Sequence, residues 1–347
     1  MTLDLLERKQ ATDTGDLVRV DNLNVRFRSR ESIAQAVSDV SFSVKRGEVL
    51  CIIGESGSGK SVTMRALMRL LPSDRTQITG GISVEGQDML ALSERQLSRV
   101  RGSKISMIFQ EPMTALDPVY TIGDQISESI VRHEKVSRQQ AMLRAKGLLE
   151  LVRVPSPERR LQNYPHELSG GLRQRAMIAV ALACRPALLL ADEPTTALDA
   201  TVQIQVLILL KKLQMEIGMG VIFVTHDLAV AAQIADKVAV MYAGRIVEYG
   251  SARDILLNPR HPYTLGMLSS TVHGQDRHKD IEAISGSPPD LRALPPGCSF
   301  APRCKYAVDA CTQQVPPPLD KDGGGFVRCI RMSEIAQTMA PPVAAGI

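Results

Sequence analysis

An α/β fold is predicted by three features of this 347-residue chain. Gly54-Glu55-Ser56-Gly57-Ser58-Gly59-Lys60-Ser61 matches G-x-x-x-x-G-K-[ST]. It follows the strand-like Glu48-Val49-Leu50-Cys51-Ile52-Ile53 and precedes a helical stretch from about 61 to 70. Leu188-Leu189-Leu190-Ala191-Asp192-Glu193-Pro194 reads as a buried strand that delivers two carboxylates to its C-terminal end, where open α/β sheets place ligands. Strand and helix patterns alternate after about residue 185, whereas 17–53 is strand-rich and 95–170 reads as mostly helical, with 137–154 a candidate helix.

Each motif has a chemical reading. In the first, the glycines let the backbone bend so that N–H groups from Gly54 through Val62, those of Glu55, Ser56, Gly57, Ser58 and Gly59 included, face phosphate oxygens at a helix N-terminus. Lys60 is expected to reach the β- and γ-phosphates and the Ser61 hydroxyl to bind Mg²⁺. Gln110 closes the strand-like Ile105-Ser106-Met107-Ile108-Phe109, and its amide suits both a metal shell and a segment that follows it. Ser169-Gly170-Gly171 reads as an exposed helix N-terminus whose hydroxyl and N–H groups bind a phosphate. Asp192 is expected to hold Mg²⁺ and Glu193 to position and polarise the attacking water. The apolar spacing of 202–217 predicts a largely buried helix after a turn at Asp199. His226 ends the apolar run Val221-Ile222-Phe223-Val224-Thr225 and is placed to contact a γ-phosphate, although a lone histidine there is more often structural.

Composition limits the classes open to such a chain. A formal charge of +4 among 22% charged residues is too weak and too dispersed to argue for nucleic acid. Apolar runs such as 176–184 fall far short of the roughly 18 residues of a membrane helix. Residues 1–10 are charged and polar, so no secretory leader is expected and a cytosolic setting is. Any membrane association is then expected to come through partners.

The order phosphate loop, Gln110, Leu168-Ser169-Gly170-Gly171, Asp192-Glu193, Ala197-Leu198-Asp199, His226 resembles the nucleotide-binding subunit of ABC transporters over about 17–255. The resemblance implies a P-loop NTPase with a RecA-like core, an antiparallel β subdomain and a helical signature subdomain over about 95–170. It implies Phe27 as an aromatic stacking on adenine and Asp199 as part of the nucleotide site. It also implies two ATP sites, each completed by the partner protomer's signature segment. Gln110-Glu111-Pro112-Met113-Thr114-Ala115-Leu116-Asp117-Pro118-Val119 narrows the resemblance to ATPase subunits of dipeptide, oligopeptide and nickel importers, where it implies a face for the permease. Asn258-Pro259-Arg260-His261-Pro262-Tyr263 resembles the extension of the same group. The implied partners are a second, related ATPase subunit, two transmembrane permease subunits and, indirectly, an extracytoplasmic binding protein, at the cytoplasmic face of a bacterial inner membrane. The implied function is ATP-driven import of dipeptide- or oligopeptide-class peptides, with nickel, glutathione and opines as alternative cargo. A soluble ABC ATPase of DNA repair or translation would show a coiled-coil insertion, tandem domains or a basic face, and a non-hydrolysing regulatory partner would lack Glu193 or His226.

Residues 256–347 read as a small irregular extension rich in proline and glycine. It carries Cys298, Cys304, Cys311 and Cys329, separated by five, six and seventeen residues. A cytosolic setting disfavours disulfides. The spacing lacks the paired C-x₂₋₄-C knuckles usual for zinc. Four cysteines suit an iron–sulfur cluster, and the resemblance implies a [4Fe-4S] cluster in this extension. Zn²⁺ and free structural thiols are the alternatives. Cys51 and Cys184, in apolar runs, are expected to be buried and inert.

Overall fold

The computed structural model describes residues 15–195, 199–270, 284–321 and 324–338. The opening segment 1–14 and Ala197-Leu198 lie outside the described residues. In chain order the elements are β1 (Val18–Arg28), β2 (Ile33–Val44), β3 (Val49–Ile53), α1 (Lys60–Leu67), β4 (Thr76–Val84), β5 (Gln87–Asp88), α2 (Glu94–Val100) and β6 (Ile105–Ile108). There follow α3 (Pro112–Ala115), α4 (Ile122–Glu134), α5 (Arg138–Leu151), α6 (Pro157–Leu161), α7 (Gly170–Ala181), β7 (Leu188–Asp192), α8 (Ala200–Ile217) and β8 (Gly220–Thr225). The last are α9 (Leu228–Ile234), β9 (Lys237–Tyr242), β10 (Arg245–Ser251), α10 (Ala252–Leu257), α11 (Pro262–Ser269), α12 (Ala310–Gln313), β11 (Leu319–Asp320), β12 (Phe326–Val327) and α13 (Met332–Thr338). The chain divides into two compact units, one of Met1–Arg19, Ser43–Glu48 and Ile82–Phe223, the other of Val20–Phe42, Val49–Gly81 and Val224–Ile347.

The first unit holds β6 and β7, parallel with Ile105 opposite Leu188 and Ile108 opposite Ala191. All residues of both strands are buried, which is why they read as continuous apolar runs without alternation. Helices α4, α5 and α7 pack together beside them. Thr121 caps α4, and a Ser137/Gln140 capping box starts α5, each satisfying N–H groups that a helix start leaves without partners. Helix α5 ends at Leu151 rather than 154. Arg153 turns left-handed at φ +58°, and the Val154 N–H returns to the Leu149 carbonyl at 2.9 Å, a Schellman-type stop. The same device ends α1 at Leu67 rather than 70, with Arg69 at φ +51° and the Leu70 N–H on the Arg65 carbonyl at 2.9 Å. Helix α8 departs from the expected burial. Val206, Leu210 and Leu213 are buried, but Ile204, Ile208 and Met215 are exposed. The apolar excess of 202–217 hides an ordinary one-sided helix, because composition does not say which apolar positions find a neighbour.

In the second unit the strand order is β11-β12-β10-β9-β3. Strands β3 and β9 are parallel, β9 and β10 antiparallel, and β12 adds antiparallel to β10 with Glu248 opposite Val327. The proline-rich extension therefore completes a sheet edge, which otherwise leaves a row of backbone groups unpaired. Glu248, fully buried on β10, anchors it further. Its carboxylate accepts from the Arg260 and His261 N–H groups at 2.8 and 3.0 Å and pairs with Lys321 Nζ at 2.9 Å. Lys321 also pairs with Asp254 at 2.7 Å. A buried carboxylate persists only when its charge and lone pairs are matched in this way.

Candidate functional site

Strand β3, buried at all five residues, carries the chain into the loop Gly54–Gly59, and α1 starts at Lys60. Gly59 sits at φ +104°, and a Cβ there would lie 2.5 Å from the Ala36 carbonyl oxygen, so no other residue fits this point of the loop. Lys60 is 4% exposed, and its Nζ donates to the Gly54 and Glu55 carbonyls at 2.7 and 2.9 Å. The Ser58 hydroxyl is buried without a hydrogen-bond partner. An orphaned hydroxyl costs free energy in a closed core, and its place beside Lys60 in a bent, glycine-rich loop fits a site for a polyanion. Ser61 and Val62 are half-buried in the first turn of α1. In the same unit, Phe27 is half-buried near the end of β1, and His226 is exposed just after β8, followed by Asp227, whose carboxylate caps α9.

The other unit assembles the acidic residues. Asp192, 2% exposed, ends β7, and Glu193 follows with φ +45°. That left-handed backbone is costly for a residue with a Cβ. Gln110 Nε2 donates to Glu193 Oε2 at 3.3 Å. Two residues 83 positions apart, each singled out from its own strand end, thus meet because β6 and β7 are parallel neighbours. Ser169 is exposed and forms the N-cap of α7 without a side-chain capping bond. A Cβ on Gly170 would meet nothing within 4 Å, whereas one on Gly171 would meet Val202 at 3.1 Å. The start of α7 therefore presents an open backbone and hydroxyl on one side and close packing on the other. Asp199 caps α8 by accepting from the Val202 N–H at 3.0 Å. The segment after Gln110 forms the short α3, capped by Glu111, with Met113, Val119 and Tyr120 exposed.

Cys298, Cys304, Cys311 and Cys329 line one cavity together with Phe300 and Ile335. The Cys298 N–H donates to the Cys311 carbonyl at 2.8 Å, which draws two of the four together. Burial raises the thiol pKa of Cys298 and Cys304 and pushes Cys329 up to about 11, with the neighbouring thiols adding to the shift. Among the described residues no His, Cys, Asp or Glu group stands in the arrangement of a metal site. The four cysteines line one cavity and fit a thiophilic group in chemistry. Cys51 and Cys184 are buried, and burial raises Cys184 to about 11, as expected of inert thiols.

Spacing gave no warning of what the extension does at the Gly54–Gly59 loop. The Tyr263 hydroxyl accepts from the Glu55 N–H at 2.8 Å. Arg303 grips the Glu55 carboxylate with both terminal nitrogens, at 2.7 and 3.1 Å. Tyr242, Tyr263 and Phe300 form the aromatic cluster beneath, with ring centroids 4.6 to 5.4 Å apart. His261, fully enclosed, is held neutral by burial, its pKa driven down to about 3, and its Nδ1 caps α11 by accepting from the Tyr263 N–H at 3.1 Å. The one sequence signal was the His-Pro-Tyr motif, and it named Tyr263 without naming its partner.

Residues 37–196 match the family described as "ABC transporter", and residues 247–311 match "Oligopeptide/dipeptide transporter, C-terminal region". The oligopeptide transport ATP-binding protein OppD of Bacillus subtilis is 47% identical over 331 residues, covering 94% of this chain and 92% of that relative. The dipeptide transport ATP-binding protein DppD of the same organism is 46% identical over 314 residues, with 90% and 94% covered. Among solved structures, a dimeric post-hydrolysis state of the ATP-binding cassette MJ0796 bound to ADP and Pi superposes with a TM-score of 0.62 at 30% identity, covering 68% of this chain and 99% of that one.

Proposed function

Because the chain belongs to the ABC transporter family, among the ATP-binding subunits of peptide importers, we propose that it powers peptide uptake by closing on ATP with a second cassette and resetting on hydrolysis. The fold is that of an ATP-binding cassette, and the activity is ATP hydrolysis coupled to peptide import. The observation that carries this reading is the presence of the cassette and the oligopeptide/dipeptide C-terminal region in one chain, at 46% identity or more to peptide-transport relatives along most of their length.

The residue roles follow from chemistry. Gly54–Ser61 and Val62 would cradle the triphosphate, Lys60 leaving the Gly54 and Glu55 carbonyls to meet it. Phe27 would stack on adenine. Mg²⁺ would be held by the hard oxygens of Ser61 and Asp192 with the Gln110 amide oxygen nearby, and would neutralise phosphate charge. Gln110 keeps that oxygen available because it binds Glu193 through its nitrogen. Glu193 would orient and polarise the attacking water, with His226 on the γ-phosphate. Ser169, Gly170 and Gly171 would bind the γ-phosphate of the partner's ATP, with Asp199 beside them. The 17–255 and 256–347 division would then separate motor from extension.

Among the described residues no helix is long and apolar enough to cross a membrane, and the partners would be two permease subunits and a second, related ATPase, reached at the cytoplasmic face. The exposed Met113, Val119 and Tyr120 would meet a permease. Reconstituted with permeases and binding protein in vesicles, the chain is expected to hydrolyse ATP several-fold faster when binding protein carries peptide. Equal stimulation by nickel-loaded protein, with none by peptide, would overturn the peptide assignment.

Cys298, Cys304, Cys311 and Cys329 would hold a [4Fe-4S] cluster. When bound, such a group supplies thiolate-held rigidity to the extension. Anaerobically purified protein is expected to be brown, with about four iron and four sulfide per chain. Cys304→Ser should bleach it while ATP still binds. Stoichiometric zinc without sulfide would replace iron by the zinc alternative.

A further inference from the structure

We propose that Arg303, carried by the cysteine-rich extension, is a positioning residue of the phosphate loop that neutralises Glu55 and thereby sets the loop's affinity for nucleotide. Glu55 is the only acidic side chain between Gly54 and Ser61, one residue into a loop that must accept a polyanion. Its backbone shapes the loop: the carbonyl accepts from Lys60 Nζ at 2.9 Å and from the Ser58 N–H at 3.2 Å, and its own N–H is turned onto the Tyr263 hydroxyl.

Arg303 controls the side chain of the same residue. Its side chain is 6% exposed, and its guanidinium binds both Glu55 oxygens. It is itself oriented by the Ser285 carbonyl at 2.9 Å and the Tyr242 hydroxyl at 3.2 Å, with Tyr242 and Phe300 beside its plane. A planar fork held on four sides is preorganised, which an ammonium on a flexible stem is not. The segment bearing it is equally fixed, because the Ala301 N–H donates to the Cys298 carbonyl at 2.9 Å and the Cys304 N–H to the Ala301 carbonyl at 3.2 Å. The extension thus supplies a cation to the phosphate loop, and Glu55 is tolerated there because of it.

The inference rests on the reading of Gly54–Ser61 as the nucleotide site. The test is titration of the full chain with a fluorescent ATP analogue and Mg²⁺. Arg303→Met is expected to weaken binding about tenfold, since an uncompensated carboxylate then faces the phosphates in a partly solvated setting. The double variant Glu55→Gln/Arg303→Met has the same packing defect without that carboxylate, and is expected to return to within about threefold of wild type. The rise should appear in KM for ATP, with kcat nearly unchanged in the assembled transporter. Folded Arg303→Met that binds like wild type, or a double variant that stays as weak as the single, would overturn the proposal. Should Arg303→Met not fold, Glu55→Gln decides: with the carboxylate removed and the cation left, binding should be at least as tight as wild type, and a tenfold loss would refute charge compensation. Lys60→Ala separates the two readings. Wild-type binding by Lys60→Ala would overturn the phosphate-loop assignment and the proposal with it, whereas loss there beside unchanged Arg303→Met overturns the proposal alone.

Discussion

Glu193→Gln is expected to lower ATP turnover about 100- to 1000-fold while leaving ATP affinity within about threefold, because a positioned general base contributes on that order and the phosphate contacts lie elsewhere. The substitution is isosteric, so the left-handed backbone at φ +45° and the contact from Gln110 are preserved. What is lost is the charge that polarises water. The protein should then accumulate with ATP bound and unhydrolysed. Single-turnover hydrolysis and nucleotide retention, measured with the change in every cassette of the assembled transporter, check this. Turnover near the wild-type rate would assign water activation to another group.

Ser169→Arg is expected to reduce hydrolysis about 100-fold in the opposing nucleotide site while ATP still binds the variant's own loop, the loss of an oriented phosphate contact being of that size. Ser169 is exposed, its hydroxyl makes no capping bond, and the neighbouring Gly170 faces open space. An arginine therefore fits its own protomer without strain and acts only where another molecule approaches. Combining Ser169→Arg in one protomer with Lys60→Ala in the other locates the damage. Hydrolysis lost at the site of the protomer that carries the arginine would rule out completion in trans.

Much of this site was legible along the chain because its chemistry is local. Gly54–Ser61 must be glycine-rich, basic and helix-proximal within eight positions to hold phosphates at all, and Asp192-Glu193 must end a buried strand to face a ligand. Both stand where that logic put them, at the ends of β3 and β7. The meeting of Gln110 with Glu193 was legible in part, since each closes an apolar strand, but their pairing at 3.3 Å required β6 and β7 to be neighbours. The ends of α1 and α5 were misjudged by three residues because Arg69 and Arg153 adopt a left-handed turn that arginine has no intrinsic preference for. The faces of α8 were misjudged because burial is a property of neighbours.

By itself, then, the order of residues determined the fold class, the glycine-rich loop after β3 and the carboxylates that end β7, because each depends on residue type and short spacing, whereas the structure brought the four cysteines to one cavity. Only the tertiary structure decided what Glu248, Tyr263 and Arg303 do. The Arg303 fork reaches Glu55 across 248 positions, the Tyr263 hydroxyl reaches it across 208, and Lys321 meets Glu248 across 73. No period or motif encodes such distances. They arise because β10 and β12 pair and the aromatic cluster packs, and a charge buried by that packing must find its counterpart wherever the chain has brought one.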